Sequence, residues 1–364
     1  MSQPFAVIII KPEYRLKGGS PSVRTLISFS ILFLFAHLLH VAFLHAEDAA
    51  KLTANKDRII KTVRFLSEEN FPRSADPKNK EKTIDFIAQS LSAAGLEATR
   101  SEFAIKNILC DHDFPASGNH AESVVIELTR NPFSLVNIHA LKNGVNVEGK
   151  PNKRIVVGAH YDIIAESPGA DDNASGIAVL VELAHMLKET KLNCDIELVA
   201  YDAEEEGLLG SRFHARKLKN QNVDVACMIS MDLVGYYSDR EHSQSYPVAG
   251  MSLLYGTKGD FLAMIGRQED AGLLAASQKA WQRATPLRIL TLPAAKGLEL
   301  LLSRSDHAPF WWEGYPAVLL TDTADYRNKN YHRRTDTWDT LDYDRLAQVP
   351  VGLYHMILAI DAAQ

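Results

Sequence analysis

Two segments rich in histidine and aspartate carry the residue types best suited to chemistry. His160 and Asp162 directly follow the apolar run 155–159. The adjacent pair Asp171 and Asp172 comes next, in a segment bounded by glycines. Imidazole nitrogens and carboxylate oxygens together bind zinc and similar divalent cations. A carboxylate close to a ligating histidine can also orient the imidazole ring. These segments therefore indicate a metal site.

Three further segments supply candidate ligands or proton-transfer groups. Glu204 and Glu205 follow a second apolar run, Asp232 closes a third, and His332 lies in a later loop. Each residue alone has a simpler explanation, such as a core histidine, a helix cap or a solvated acidic turn. The positions after buried runs count against those explanations, because an aspartate such as Asp232 is costly to bury without a partner. Adjacent glutamates can divide the work, one binding metal and one moving protons.

The candidate residues follow alternating strand-like and helix-like segments. Apolar runs too short for helices occupy 155–159, 196–200 and 225–231, and helical periodicity covers 177–187 and 211–218. Strands that alternate with helices predict βαβ units with parallel pairing. We expect an α/β fold with a mixed, mostly parallel central sheet sandwiched by helices. Ligands bind outside the carboxyl ends of the strands in such sheets, so the candidate residues should meet at one edge.

Other patterns predict the remaining elements. Alternating apolar and polar residues over 136–140 indicate a half-exposed strand. Apolar spacing predicts helices within 59–66 and 84–94, a strand at 252–255, a helix at 261–284, a strand at 317–320 and a terminal helix at 343–363.

The first 46 residues differ from the rest. Basic residues precede a mostly apolar run over 26–46, which is the pattern of a secretory signal peptide or an uncleaved membrane anchor. We expect residues 1–46 to be one or the other and residues 47–364 to form a single α/β domain. The protein should then be extracytoplasmic, either secreted or periplasmic, with a membrane tether if the leader is retained.

Composition narrows the choice of partners. The chain has 364 residues, of which 46% are hydrophobic and 23% charged, and its net charge is −6. Without a basic block, this balance argues against nucleic acid as the partner. Three cysteines, Cys110, Cys194 and Cys227, are too few for a disulfide framework. We expect Cys227 to be a core residue. Whether Cys110 and Cys194 form a disulfide stays open.

Taken together, the motifs resemble a known enzyme family. Their order is similar to that of the co-catalytic two-zinc exopeptidases of the M28 peptidase family. The resemblance covers about residues 155–344, and it is specific because several motifs occur in the same order. Those motifs are His-x-Asp at 160–162, Gly-Ala-Asp-Asp-Asn-Ala-Ser-Gly at 169–176, Ala-Glu-Glu-x-Gly at 203–207, Met-Asp at 231–232, Ser-Asp-His-Ala-Pro-Phe at 305–310, Tyr-His at 331–332 and Asp-Thr-Trp-Asp-Thr-Leu at 336–341.

The resemblance implies a fold, an activity and a role for each site residue. The fold would be zinc-dependent exopeptidase-like, and the activity would be that of an aminopeptidase with two zinc ions, or cobalt or manganese in their place. A metal-bridging hydroxide would attack the peptide substrate. Asp172 would bridge the metals, His160 and Asp232 would complete one site, and Glu205 and His332 the other. Asp162 would orient the His160 ring, and Glu204 would be the general base.

One departure from the family pattern concerns the side chain that would stabilise the oxyanion. Some family members place a tyrosine just before the Ser-Asp-His segment, where this chain has Leu-Leu-Ser-Arg at 301–304. Tyr331 or Arg304 could take over that role. The stretch 238–304 is the expected source of the pocket wall. Four residues in or near it are expected in the pocket lining or in the core: Leu253, Phe261, Met264 and Trp312.

Several alternatives stay open. A carboxypeptidase or dipeptidase would need a cation for the substrate carboxylate, which Arg304, Arg333 or Arg334 could supply. A glutaminyl cyclase-like acyltransferase would use the same scaffold with a single zinc. A non-catalytic module on this fold would be expected to lose ligands that the chain retains. A serine hydrolase built from residues 305–307 is disfavoured, because three adjacent residues do not normally form a triad.

Overall fold

An eight-stranded sheet organises the part of the chain that the computed structural model describes, namely residues 52–103, 135–145, 152–164, 166–297 and 299–364. The strand order is β1-β2-β4-β3-β5-β8-β6-β7. Four neighbouring pairs are parallel and three are antiparallel, which confirms the expected mixed, mostly parallel sheet. The strands are β1 (Ala98–Phe103), β2 (Leu135–Lys142), β3 (Arg154–His160), β4 (Asp195–Tyr201), β5 (Val225–Met231), β6 (Phe261–Arg267), β7 (Arg288–Ala294) and β8 (Ala317–Thr321).

Helices cover both faces of this sheet. One apolar layer joins the sheet to α1, α2, α3, α6 and α10, and a second layer on the other face joins it to α4 and α8. The predicted sandwich is therefore confirmed. The helices are α1 (Lys56–Arg64), α2 (Pro77–Ala93), α3 (Gly176–Leu187), α4 (Leu209–Asn220), α5 (Met251–Tyr255), α6 (Ala271–Ala284), α7 (Glu299–Leu302), α8 (Ala308–Trp312), α9 (Tyr343–Leu346) and α10 (Val349–Asp361).

The central parallel strands bring the candidate ligands to one edge. β4, β3, β5 and β8 are neighbours in that order and run parallel to one another. His160 is the last residue of β3, and Asp232 directly follows β5. Glu204 and Glu205 lie in the loop between β4 and α4. Because the carboxyl ends of parallel strands share one edge, residues that are distant in sequence become neighbours there.

Two predicted elements are wrong. The segment predicted as a strand at 252–255 belongs to α5, which has no buried residue and no partner strand to pair with; glycines with positive φ precede and follow it. The segment predicted as one helix at 261–284 is strand β6 followed by helix α6. β6 lies between β8 and β7 and is almost entirely buried, so its unbroken apolar run has no alternation to distinguish it from a buried helix.

Two other predictions need correction. The strand predicted as half-exposed at 136–140 is β2, and its polar residues Asn137 and His139 are buried along with its apolar ones. The face that carries them is covered by α4, to which Asn137 donates a hydrogen bond at the Gly210 carbonyl, 2.9 Å away. The predicted terminal helix is divided into α9 and α10 at Ala347 and Gln348, just before Pro350, which stands in the first turn of α10.

Some predictions fall partly or wholly outside the described residues. The leader at 1–46 and Cys110 are among them, so the choice between signal and anchor and the pairing of Cys110 stay predictions. Residues Leu52–Gln364 form one compact unit. Within the described ranges, every helix is too short or too polar to cross a bilayer. Cys194 and Cys227 are both buried.

One buried arginine ties the segment between α1 and α2 to the loops that carry the candidate ligands. Arg73 is 0% exposed, and its guanidinium donates only to backbone carbonyls. Nε donates to the Tyr161 carbonyl at 2.7 Å, Nη1 donates to the carbonyl of Gly169 at 2.9 Å, and Nη2 donates to those of Asp162 at 3.3 Å and Asp172 at 3.1 Å. The planar fork of an arginine can satisfy several acceptors at fixed angles, which a lysine ammonium cannot.

Replacement of Arg73 by lysine should therefore destabilise the protein although the charge is retained. We expect Arg73→Lys to lower the free energy of unfolding by about 3 kcal/mol, the order of one or two lost hydrogen bonds to a buried charged group. Urea unfolding followed by circular dichroism measures this change.

Arg100→Lys is the matched control. Arg100 is paired with Glu81 and Asp85 on the surface, so the same change of side chain should cost less than about 1 kcal/mol there. Equal losses of unfolding free energy in the two variants would show that the Arg73 guanidinium does not hold the loops at 161–162 and 169–172 together.

Candidate metal centre

The predicted ligands form two overlapping groups at the carboxyl edge of the sheet. His160, Asp172 and Asp232 form site 1, and Asp172, Glu205 and His332 form site 2; within each site the ligand atoms lie within 4.8 Å of one another. In site 1, His160 Nε2 is 3.3 Å from Asp172 Oδ1 and 3.1 Å from Asp232 Oδ1. In site 2, His332 Nε2 is 3.0 Å from Asp172 Oδ2 and 3.4 Å from Glu205 Oε2. Asp172 thus presents one carboxylate oxygen to each site.

An irregular turn, Ala170–Ser175, presents the Asp172 carboxylate between the two sites. Gly169 before it has φ 63°, and Asp172 itself has non-helical angles, φ −104° and ψ 88°. The Asp336 carboxylate accepts from the backbone N–H groups of Asp171 and Asp172 at 3.0 and 3.1 Å. The Asp171 side chain lies outside both sites and accepts from the Gly235 N–H at 2.8 Å. The two adjacent aspartates therefore point to different partners.

Asp162 connects the histidine of site 1 to the loop of acids. Its Oδ1 lies 3.4 Å from His160 Nδ1 and accepts the Glu204 N–H at 3.1 Å, and its Oδ2 accepts the Glu205 N–H at 3.0 Å. One carboxylate thus fixes the positions of two successive backbone units. Glu204 also lies near the ligands, because its carboxylate, His160 and Glu205 form a third group within 4.8 Å.

Burial and crowding shift the pKa values of these groups in opposite directions. Burial raises the pKa of Glu204 well above its usual range, and burial reinforced by Asp172 raises that of Glu205 to about 7. Burial alone would lower the pKa of His332, but Asp172 and Glu205 raise it to about 10. Burial would raise the pKa of Asp172, but His160 and His332 hold it well below its usual range. The carboxylates thus need positive charge, which protonated imidazoles supply here.

The two sites fit a pair of divalent cations. Glu205 Oε1 is buried without a hydrogen-bond partner, and His332 Nε2, although 3.0 Å from Asp172 Oδ2, makes no hydrogen bond of good geometry. Such atoms are costly to bury unless something satisfies them. A mixed set of imidazoles and carboxylates suits zinc, and also cobalt or manganese. Bound cations would take the place of the imidazole protons and supply the missing partners.

An open pocket gives access to these sites, and its wall differs from the prediction. Asp172, Glu204, Glu205 and Asp232 form its acidic part, and the remaining lining residues are Gly207, Leu208, Ser303, Arg304 and Tyr331. The stretch 238–304 contributes only its last two residues to this lining. None of the four apolar candidates belongs to the lining: Phe261 and Met264 are buried in the sheet, and Leu253 and Trp312 are exposed.

Residues 305–307 do not form a catalytic triad. Ser305 Oγ lies 3.3 Å from Ser230 Oγ, and His307 Nε2 lies 2.9 Å from the Leu302 carbonyl. The two carboxylate oxygens of Asp306 have no hydrogen-bond partner. The side chains of a triad must be hydrogen-bonded in series, so this geometry gives a serine hydrolase no support.

Sequence reasoning missed the residues that hold the ligand loops. Arg73 and Asp336 bind the backbone around Asp172 and Asp162 rather than their side chains. Asp336 lies in the Asp-Thr-Trp-Asp-Thr-Leu motif at 336–341, so that motif was a usable signal. Arg73 belongs to a polar segment with no motif, and its burial only becomes visible in the folded chain.

Comparison with known proteins agrees with this geometry. The sequence profile of peptidase family M28 matches residues 143–355. The uncharacterized protein YfbL of Escherichia coli K12 is 31% identical over 356 residues, which cover 92% of this chain and 98% of that protein. Leucine aminopeptidase 1 of Paracoccidioides brasiliensis is 28% identical over 221 residues, 56% of this chain and 51% of that relative. The chain therefore spans about half of that aminopeptidase.

Two solved structures share the fold at low sequence identity. The zinc aminopeptidase BSAP from Bacillus subtilis has a TM-score of 0.62 at 18% identity, covering 84% of this chain and 95% of that one. Glutaminyl cyclase from Porphyromonas gingivalis has a TM-score of 0.57 at 18% identity, covering 85% and 99%. The fold thus accommodates both kinds of protein. The sequence match over more than half of the chain, together with the two sites that share Asp172, shows that this protein belongs to the M28 peptidase family.

Proposed function

We propose that the chain is a metal-dependent aminopeptidase that removes N-terminal residues from peptides. The observation that carries this proposal is the sharing of Asp172 between two buried groups of imidazoles and carboxylates, with Glu204 beside them in an open pocket. His160, Asp232, Glu205 and His332 would hold two zinc ions together with Asp172. Bound ions of this kind polarise the peptide carbonyl and make water a stronger nucleophile near neutral pH.

Glu204 would move the proton in this proposal. Its carboxyl lines the pocket and lies within 4.8 Å of ligand atoms of His160 and Glu205, and its backbone is fixed by Asp162. As general base, one carboxylate oxygen would take a proton from the attacking water and return it to the leaving amine. Proton transfer needs hydrogen-bond reach, and a carboxylate on a loop held by two backbone contacts keeps that reach constant.

Tyr331 and Arg304 would assist at the substrate carbonyl. Both line the pocket, and the Tyr331 ring stacks on His332 with centroids 3.7 Å apart. The phenol O–H of Tyr331 or a guanidinium N–H of Arg304 would donate to the oxyanion as it forms. The tyrosine that some relatives carry before the Ser-Asp-His segment would then be unnecessary in this chain.

The pocket offers few charged contacts to a free carboxyl terminus. Four acids line it, and Arg304 is the single cation among its lining residues. Arg304 Nη1 is also paired with Asp325 at 3.1 Å, which offsets its charge. Once two zinc ions offset the four acids, the lining side chains offer a substrate carboxylate only this paired guanidinium. The names of the leucine aminopeptidase and zinc aminopeptidase relatives point the same way.

The leader would place this activity outside the cytoplasm. A peptidase with a signal peptide or anchor over residues 1–46 would act on extracellular or periplasmic peptides, whether released or tethered to the membrane. This location rests on the sequence pattern alone.

Glu204→Gln should abolish turnover without emptying the metal sites. The amide keeps the size of the side chain but cannot accept the water proton, so we expect kcat to fall by about 10²–10⁴-fold, the usual contribution of general base catalysis. Reporter hydrolysis and metal content per chain, measured on the same sample, test this.

Glu189→Gln is the control, since it makes the same change at an exposed acid that lies outside both sites and the pocket lining. Its kcat should stay within a few-fold of the original. Asp172→Ala should instead lose metal, because both sites share that carboxylate. A Glu204→Gln enzyme with normal kcat would remove Glu204 from the proposed role.

A substrate panel separates the proposed activity from its competitors. Unblocked aminoacyl reporters should be hydrolysed, and N-acetylation of the same reporters should lower kcat/KM by about 10–100-fold through loss of one charge-assisted contact. Preference for N-blocked peptides with free carboxyl termini would indicate a carboxypeptidase. Cyclisation of N-terminal glutamine without peptide hydrolysis would indicate a glutaminyl cyclase, and either result would overturn the proposal.

A further inference from the structure

A second buried group of metal-competent side chains lies away from the sites that share Asp172. His139 on β2, Glu197 on β4 and His214 on α4 have ligand atoms within 4.8 Å of one another, and we call them the outer cluster. Their exposed fractions are 8%, 7% and 1%. His139 and Glu197 lie on the face of the sheet that α4 covers. Neither side chain belongs to the pocket lining or to sites 1 and 2.

The spacing of the outer cluster matches that of the predicted catalytic sites. Glu197 Oε1 lies 2.9 Å from His139 Nδ1 and 3.3 Å from His214 Nε2. The corresponding contacts in sites 1 and 2 range from 3.0 to 3.4 Å. Ligands at about 2.0–2.1 Å from a tetrahedral zinc ion are about 3.3 Å apart. One small cation could therefore contact all three atoms after minor side-chain shifts.

The hydrogen bonding around the outer cluster leaves one buried imidazole nitrogen without a partner. His214 Nε2 is fully buried and has no hydrogen-bond partner, although Glu197 Oε1 lies 3.3 Å away. The other ring nitrogen, Nδ1, is 3.0 Å from the Tyr201 hydroxyl. If Nδ1–H donates to Tyr201, the Nε2 lone pair faces the carboxylate, and two acceptors face each other. A ligating histidine characteristically uses its second nitrogen in this way.

The remaining oxygen of Glu197 is held by a separate partner. Arg154 Nη1 donates to Glu197 Oε2 at 3.0 Å, on β3 beside β4. This contact fixes the carboxylate plane and leaves Oε1 directed at the two histidines. Because the guanidinium already offsets part of the Glu197 charge, a cation bound here must be one that prefers two neutral imidazoles and a single carboxylate oxygen. Zinc has that preference, and its fourth position could be filled by water.

We propose that the outer cluster is a third divalent-metal site that binds one zinc ion and pins α4 to the sheet. Its ligands come from β2, β4 and α4, so a bound ion would cross-link three elements. α4 begins at Leu209, directly after Gly207 and Leu208 of the pocket lining and shortly after Glu204 and Glu205. The ion would therefore stabilise the start of that helix and the loop of acids that leads into it, without touching substrate.

Metal content of full-length variants tests this proposal independently of catalysis. In an Asp172→Ala background, which disables sites 1 and 2, the protein should retain one zinc ion after dialysis against metal-free buffer. Adding His214→Gln or His139→Gln should remove that ion, whereas the control His185→Gln, on α3 outside every group, should leave it. Zinc-edge X-ray absorption of the Asp172→Ala protein should show imidazole nitrogens at about 2.0–2.1 Å.

Two outcomes would overturn the third site. One is an Asp172→Ala protein that holds no zinc, with no rise in Tm when zinc is added to the stripped sample. The other is retention of the same zinc content when His214 or His139 is replaced in a folded variant. If His214→Gln does not fold, His139→Gln takes its place. The His139 side chain lies nearer the surface, so its replacement should be better tolerated. Wild-type peptidase activity does not enter either result, so failure here leaves the proposed function intact.

Discussion

The structure depends on holding several carboxylates together in a place from which water is largely removed. Asp162, Asp172, Glu204, Glu205 and Asp232 converge within a few ångströms at the edge of the sheet. Isolated burial of even one such charge is very unfavourable. Their proximity therefore requires cations, which two imidazoles supply as protons and which divalent metals would supply more strongly. The demand for positive charge is what distinguishes this candidate metal centre from an arbitrary acidic surface.

The scaffold holds the loops that carry these side chains mainly through contacts to their backbone. Arg73 is bonded to carbonyls on both ligand loops, and Asp336 and Asp162 accept backbone N–H groups beside the ligands. Backbone positions are thereby fixed while side chains remain directed at the centre. Catalysis tolerates only positional errors well below an ångström. Contacts that support the ligand loops therefore matter as much as the ligands themselves. Asp171 shows the division clearly: it neighbours Asp172 in sequence, yet its carboxylate lies outside the sites and accepts from the Gly235 N–H and the Asn328 side chain.

The part of this arrangement that depends on strand ends was predictable from sequence. His160 and Asp232 each follow an apolar run, and parallel strands bring such ends together whatever their exact limits. Segments whose state is set by tertiary contacts were not predictable. β6 resembles a helix because both of its faces are buried, and α5 resembles a strand although it has no partner. Arg73 left no signal, since its role exists only when two distant loops are adjacent.

The burial of His139 shows why polar residues in strands are hard to interpret from sequence. Because His139 alternates with apolar neighbours, the pattern predicts that its side chain faces solvent. Instead α4 covers this face of the sheet, and the His214 ring lies 4.8 Å from the His139 ring. Two histidines and Glu197 on a covered face must satisfy one another or a shared cation. α4 is thus attached to the sheet by polar as well as apolar contacts, and it begins where the acid loop ends. The position of the loop that carries Glu204 therefore depends on how α4 packs on the sheet.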